Sequence, residues 1–260
     1  MRVIFSFCGL ALLLAGACEE AQANCRRKPL GTGRVQAVLH GRTLLLNDGR
    51  EVRLSGIELA PVEPQGDAAR AALTTMLAGR TIALTGPGLA SDRYGRIAAQ
   101  VFDDAAEAGA TPSAQRTLLA KGHAMVAARV GDAACAAELL AAERTARAEN
   151  LGLWADPRHV IRKANAPAAV LAERGRFTLV EGLVLSVRES GGTIYVNFGR
   201  RWSEDFTVTV QKRSERAFTA AGLELKALAG RPVRVRGVIE ERGGPWIEAM
   251  RPEQIEIIGP

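Results

Sequence analysis

Aromatic side chains are scarce: Phe, Trp and Tyr make up only 5% of the 260 residues. Any core must therefore rest on aliphatic and small side chains, which an abundance of Ala helps to supply. Histidine occurs three times (His40, His123, His159) and cysteine four times, too few and too scattered for a zinc site. Long hydrophobic runs are also missing. Val3 to Ala17 is uncharged and apolar, but its 15 residues fall short of a bilayer, which takes about 20. No other stretch comes closer, so a membrane-spanning helical bundle is excluded. What is present is ordinary for a globular chain, 47% hydrophobic and 24% charged, which excludes wholesale disorder. Lys and Arg number 34 against 28 Asp and Glu, a formal charge of +6. That surplus permits a polyanionic partner without identifying one.

The N-terminus reads as a targeting signal. Arg2 precedes the apolar run, and Ala21-Gln22-Ala23 has the small-x-small form of a signal-peptidase site. Residues 1–23 are expected to be a signal peptide, with an exported chain starting at Asn24, periplasmic or secreted. The alternative is a lipid anchor at Cys18, since Leu14-Ala15-Gly16-Ala17-Cys18 resembles a lipobox with its Leu one position too far upstream. With the signal removed, Cys25 and Cys135 remain, and two thiols in an oxidising compartment are most simply a disulfide. Closing so long a loop contributes about 4–5 kcal/mol in the chain-entropy account.

Two strand-rich segments are joined by a basic stretch. In residues 24–157, strands are expected at 34–39, 43–46, 51–57, 81–84 and 97–102, with Asn47-Asp48-Gly49 as a hairpin turn. Helices are expected at 66–78, from Thr111-Pro112 to Gly122, and over 133–149. Residues 158–175 carry Arg158, Arg162, Lys163 and Arg174 and two prolines, and read as a linker with a short helix. Residues 176–260 alternate again, with strands at 177–187, 193–198, 206–210, 233–239 and 246–257 and a helical stretch at 214–221. Five strands with a helix after the third suggest a second small OB-like barrel. The class is mainly β with α (α+β).

The ordered stretches Gly41-Arg42-Thr43, Asp48-Gly49-Arg50, Val52-Arg53-Leu54-Ser55-Gly56-Ile57-Glu58-Leu59-Ala60-Pro61 and Asp92-Arg93-Tyr94-Gly95-Arg96 carry a resemblance. So do Leu118-Leu119-Ala120-Lys121-Gly122-His123-Ala124, Ala142-Glu143 and Leu151-Gly152-Leu153-Trp154. Together they resemble the staphylococcal nuclease (thermonuclease) family. The resemblance implies a five-stranded OB-type barrel with three helices that hydrolyses phosphodiesters of DNA and RNA with Ca2+. Arg53 and Arg96 stand where that family places its phosphate-binding arginines, with Tyr94 at the usual spacing. Arginine suits the role because its planar fork pairs with two phosphate oxygens and keeps its charge. Glu58 replaces an Asp metal ligand, and Glu63 is a candidate water-activating carboxylate.

The sequence departs from that pattern at the metal. The family's Asp-Gly-Asp-Thr appears as His40-Gly41-Arg42-Thr43, so both aspartates are absent and Arg42 brings a cation suited to phosphate. The leading expectation is an exported protein that binds nucleic acid or another phosphodiester, with calcium-dependent hydrolysis weakened or lost. One alternative is an active metal-dependent endonuclease or phosphodiesterase using Glu58, Glu63, Arg53 and Arg96. Another is a non-catalytic module for envelope interactions. In the second segment Tyr195, Phe198, Trp202 and Phe206, interleaved with Arg200 and Arg201, are either a stacking platform for single strands or barrel core, and alternation sends some of them inward.

Overall fold

The computed structural model describes residues 25, 28–60, 65–88, 91–104, 111–157, 159 and 161–259. The signal peptide, Cys18, Asn24 and Glu63 lie outside the described residues.

A long first strand, β1 (Pro29–His40), organises the N-terminal unit. Its second half pairs antiparallel with β2 (Thr43–Leu46) and its first half with β5 (Thr81–Thr85). β2 continues through the expected hairpin at Asn47–Gly49 into β3 (Glu51–Leu54), which pairs parallel with β6 (Ile97–Asp103). β6 returns antiparallel to β5, and the order β1-β2-β3-β6-β5 closes a barrel. Alternation fills it: Leu44, Leu46, Val52, Leu54, Ile82 and Leu84 are fully buried aliphatics. The strand expected over 51–57 breaks at Ser55-Gly56, where Gly56 takes φ +77°, and Ile57–Glu58 forms a separate strand, β4. β4 pairs with β7 (Met125–Val126) outside the barrel.

Three helices cover this barrel, as expected. α1 (Gln65–Leu77) buries Ala69, Leu73 and Leu77 at helical spacing. α2 (Ala114–Ala120) begins later than expected, because Ser113 rather than Thr111 is its cap; the Ser113 hydroxyl accepts from Arg116 N at 3.1 Å. α3 (Ala133–Ala148) is capped by Asp132, and a disulfide joins Cys135 in its first turn to Cys25.

Of residues 158–175, expected as a linker, the described stretch 161–175 packs with the second unit. There Arg162–Lys163 (β8) pairs parallel with β9 (Phe177–Leu183), and α4 (Pro167–Leu171) follows. Ala164 and Val170 are buried in the second core, which ties this segment down. The strand expected over 177–187 bends after Leu183 into β9 and β10 (Ser186–Ser190). β11 (Thr193–Asn197) and β12 (Thr207–Gln211) come next, then α5 (Glu215–Ala220) and β13 (Pro232–Val238). β13 passes through Ile239 into β14 (Glu240–Arg242), which turns into β15 (Gly244–Glu248). The run expected over 246–257 is interrupted at Pro252 by a short 3-10 turn before β16 (Ile255–Ile257), since proline cannot donate to a ladder. The result is two sheets around one core, β10-β11-β12-β15-β14 and β16-β13-β9-β8, in place of the expected single five-stranded barrel. The cause is the bending of two strands, so that each contributes to both sheets.

A buried ionic cluster joins the two units. Arg236 on β13 has no exposed side-chain surface and donates to Glu143 on α3 at 2.7 Å and to Val126 O at 3.0 Å. Glu256 on β16 also accepts from Arg236, and Arg147 bridges Glu143 and Glu256. Two buried guanidinium groups balance two carboxylates, and Arg144, more than half exposed, approaches Glu256 at 3.8 Å from the solvent side. Burial alone would push the Arg236 pKa down, but Glu143 and Glu256 outweigh it and hold it above its ordinary value. Such a pair adds little net stability against an apolar replacement, yet removing one partner strands a buried charge.

Candidate functional site

At one mouth of the first barrel the backbone gathers three arginines and two carboxylates. Arg42 sits in the tight turn between β1 and β2, and Leu54 N donates to its carbonyl at 2.9 Å. On β3, Val52 and Leu54 point into the core, so alternation turns Arg53 outward between its neighbours Thr43 and Ala98. Glu58 lies on β4, just past the Gly56 break. Asp92, Tyr94 and Arg96 lie in the β5–β6 connection. There Asp92 Oδ1 accepts from Tyr94 N at 2.9 Å and from Arg96 N at 3.1 Å, with Gly95 at φ +80°. These bonds make the Asp92–Arg96 segment a closed Asx-type turn.

The guanidinium groups are already engaged. Arg42 donates to Glu58 Oε2 at 2.9 Å and to Ile57 O at 2.7 Å. Arg96 donates from Nε (3.0 Å) and Nη2 (2.8 Å) to Asp92 Oδ2. Arg53 Nε stands 3.7 Å from the same oxygen and is buried without a hydrogen-bond partner among the described residues. Burial, with Arg42 and Arg96 close by, lowers the Arg53 pKa against the opposing pull of Asp92 and Glu58. The Asp92 carboxyl, hydrogen-bonded first by Arg96, is held at about 2. Tyr94 is 65% exposed, with the guanidinium carbons of Arg93 and Arg96 at 4.8 and 5.0 Å from its ring centre.

The sequence-expected residues Arg42, Arg53, Glu58, Tyr94 and Arg96 therefore come together. Asp92 was not among the expected site residues, although it anchors two of the arginines. Its signal was the turn Asp92-Arg93-Tyr94-Gly95-Arg96, where an Asx side chain caps the backbone it precedes. Leu59 also acquires a role: its Cδ1 would lie 2.6 Å from a β-carbon at Gly41, with Gly66 O and Ala69 crowding the same space. A glycine is required there so that Leu59 and α1 can cover the turn that presents Arg42.

The donor set does not fit a calcium ion. Ca2+ takes six to eight oxygen ligands, several of them carboxylate. Here both described carboxylates already accept from arginine, and Arg42 places positive charge against Glu58. Among the described residues no three His, Cys, Asp or Glu side chains gather to hold a metal. Three cations against two anions leave the mouth with a surplus positive charge, which suits a phosphate oxygen.

Residues 47–156 match the family of staphylococcal nuclease homologues. The match takes in Arg53, Glu58, Asp92, Tyr94, Arg96 and Glu143 and stops before the second unit. No curated protein matches the chain.

Proposed function

Starting from a staphylococcal-nuclease-type domain over residues 47–156, we propose that this protein binds nucleic acid or another phosphodiester and that its calcium-dependent hydrolysis is weakened or lost. The observation that carries the reading is the Arg42 guanidinium lying on Glu58 beside Arg53 and Arg96. An incoming phosphate finds the unused donors of Arg53 and the outer edges of Arg42 and Arg96, and Tyr94 offers a ring to an adjoining base. Asp92 and Glu58 hold the arginines in place rather than holding a cation. No hydrolytic step is assigned to these residues, because a water-activating carboxylate and a metal cage are not among them.

Both units belong, in this reading, to the OB type. Support comes from one shared topology: the third strand pairs in parallel with the last, β3 with β6 and β12 with β15, while the first strand serves both edges. Export follows from the N-terminal signal pattern and is consistent with the Cys25–Cys135 disulfide. Among the described residues no helix is long and apolar enough to cross a membrane.

The test is incubation of labelled single-stranded DNA and RNA with the protein in calcium, in other divalent ions and in EDTA, beside an Arg96→Ala control. Salt-sensitive retention without cleavage, weakened by the control, is expected. Metal-dependent cleavage abolished by the control would instead establish a nuclease and give Glu58 and Glu63 catalytic roles. Absence of both would leave the envelope-interaction reading.

A further inference from the structure

The second unit carries a groove that the first-barrel site does not touch. It lies on the face of β10-β11-β12-β15 turned away from the core and encloses about 800 Å³. On β11 and β12, Ile194, Val196, Val208 and Val210 pack inward. The alternate residues Tyr195, Asn197, Thr207 and Thr209 therefore line the groove, with Tyr195 opposite Thr209 and Asn197 opposite Thr207. One wall is the β11–β12 loop. There Asp205 accepts from Arg201 N at 2.7 Å, and Gly244 of the β14–β15 turn packs so close to Glu204 and Asp205 that a β-carbon would collide with them. This fixed loop projects Trp202, which is 74% exposed.

Three features of the groove point to one kind of ligand. Its charged lining is all positive: Arg188, Arg200 and Arg242, with no acidic side chain among the described lining residues. Arg188 and Arg200 make no ion pair among the described residues, whereas Arg242 approaches Glu240 at 3.8 Å. Flat apolar surface is available beside them, since Tyr195 and Trp202 are exposed and Trp246 lies under Arg242 at 3.5 Å. Phe198 and Phe206, by contrast, pack together at 5.0 Å on the core side and take no part. Finally, Thr207 and Thr209 are only 7% and 4% exposed, and their hydroxyls have no hydrogen-bond partner among the described residues. A buried hydroxyl without a partner is costly, so two on one groove floor await a polar ligand.

We propose that this groove binds a short stretch of single-stranded nucleic acid. Tyr195 and Trp202 stack on bases, Arg188, Arg200 and Arg242 meet phosphates, and Thr207 and Thr209 hydrogen-bond base edges. A strand supplies flat rings, regularly spaced negative charge and polar edges together, which an acidic peptide does not. The volume is that of a small-ligand cleft, which admits a few splayed nucleotides and not a duplex. The site stands whether or not the Arg42–Arg53–Arg96 cluster binds phosphodiesters.

The experiment is fluorescence polarisation of fluorescein-labelled dT12 with the full chain, in an Arg53→Ala/Arg96→Ala background that disables the first site. In that background dT12 still binds. Trp202→Ala and Tyr195→Ala each weaken it about tenfold, the low end of what losing one stacked base costs. Arg188→Ala/Arg200→Ala lowers the slope of log affinity against log salt by about 1.4, roughly 0.7 per lost phosphate contact. Thr207→Val weakens binding while leaving the melting temperature unchanged or higher, which separates ligand recognition from folding. Absence of binding in that background overturns the proposal. So does binding insensitive to Tyr195, Trp202 and Thr207, or displaced equally well by polyglutamate or by duplex DNA.

Discussion

The two units repeat one strand order and treat their arginines in opposite ways. In the first, five uninterrupted strands close the barrel, and the arginines at its mouth are paired: Arg42 with Glu58, Arg96 and Arg53 with Asp92. In the second, two strands bend, one sheet face is left with a groove, and Arg188 and Arg200 there meet no carboxylate among the described residues. Topology thus repeats while electrostatics diverge. A paired mouth is preorganised, keeps one surplus positive charge, and asks a phosphate to compete with two carboxylates. A groove whose Arg188 and Arg200 meet no described carboxylate asks its ligand to compete with an acid only at Arg242, which approaches Glu240 at 3.8 Å. Similar β architecture says little about what a surface binds; the placement of acids beside bases decides it.

The sharpest break between the units is at the cluster that joins them. Arg236→Met leaves Glu143 and Glu256 with Arg147 and the mostly exposed Arg144 to compensate, and should cost about 3–5 kcal/mol. Urea unfolding would show this as a lower midpoint, and as two transitions if the cluster couples the units. A single unchanged transition would mean that they unfold independently of it. Next in size is the disulfide, which constrains the first unit only. Cys25→Ser/Cys135→Ser should cost about 2–4 kcal/mol, below the chain-entropy figure because the unfolded chain retains residual structure, read from the same denaturation curve.

Charge reversal at the first mouth sharpens the contrast between the sites. His40→Asp/Arg42→Asp removes the cation on Glu58 and adds two carboxylates, so calorimetry should detect calcium binding at about millimolar affinity in the variant and none in the parent. No heat from the double variant would show that more than these two positions separates this mouth from a metal cage.

A titration follows in size. Asp92 has its pKa depressed to about 2 from 3.8 by the Arg96 hydrogen bond. Its ion pairing is therefore complete above pH 3.8, declines as the pH falls, and is lost below about 2. Arg96→Ala should move the carboxyl resonance midpoint in NMR upward towards 3.8, and an unchanged midpoint would assign the shift to the turn backbone alone. The smallest expected effect is Ser113→Ala, about 1 kcal/mol from the loss of one helix cap. Thr111→Ala should be neutral in the same measurement.

How much was legible depends on the range of the interaction. All five barrel strands and three helices of the first unit follow from local pattern: alternation in Thr43–Leu46, the Asn47-Asp48-Gly49 turn, helical spacing of Ala69, Leu73 and Leu77. Boundaries failed where a neighbour competed. Gly56 breaks a strand because Ile57 and Glu58 find a partner in Met125 and Val126, far along the chain. The segment 158–175 looked like a linker because β8 and α4 are too short to announce themselves without the core that buries Ala164 and Val170.

Residue identity and order by themselves determined the strand alternation, the candidate arginines, the missing aspartates and the two cysteines able to pair, because each is a property of composition or of near neighbours. Only the tertiary structure decided that Arg42 lies on Glu58, that Asp92 holds both Arg53 and Arg96, that Glu143 is neutralised from another unit, and that the Thr207 and Thr209 hydroxyls are buried without partners among the described residues. Each of these depends on side chains distant in sequence meeting at a few ångströms, where charge pairing and desolvation act, and no local pattern encodes such a meeting.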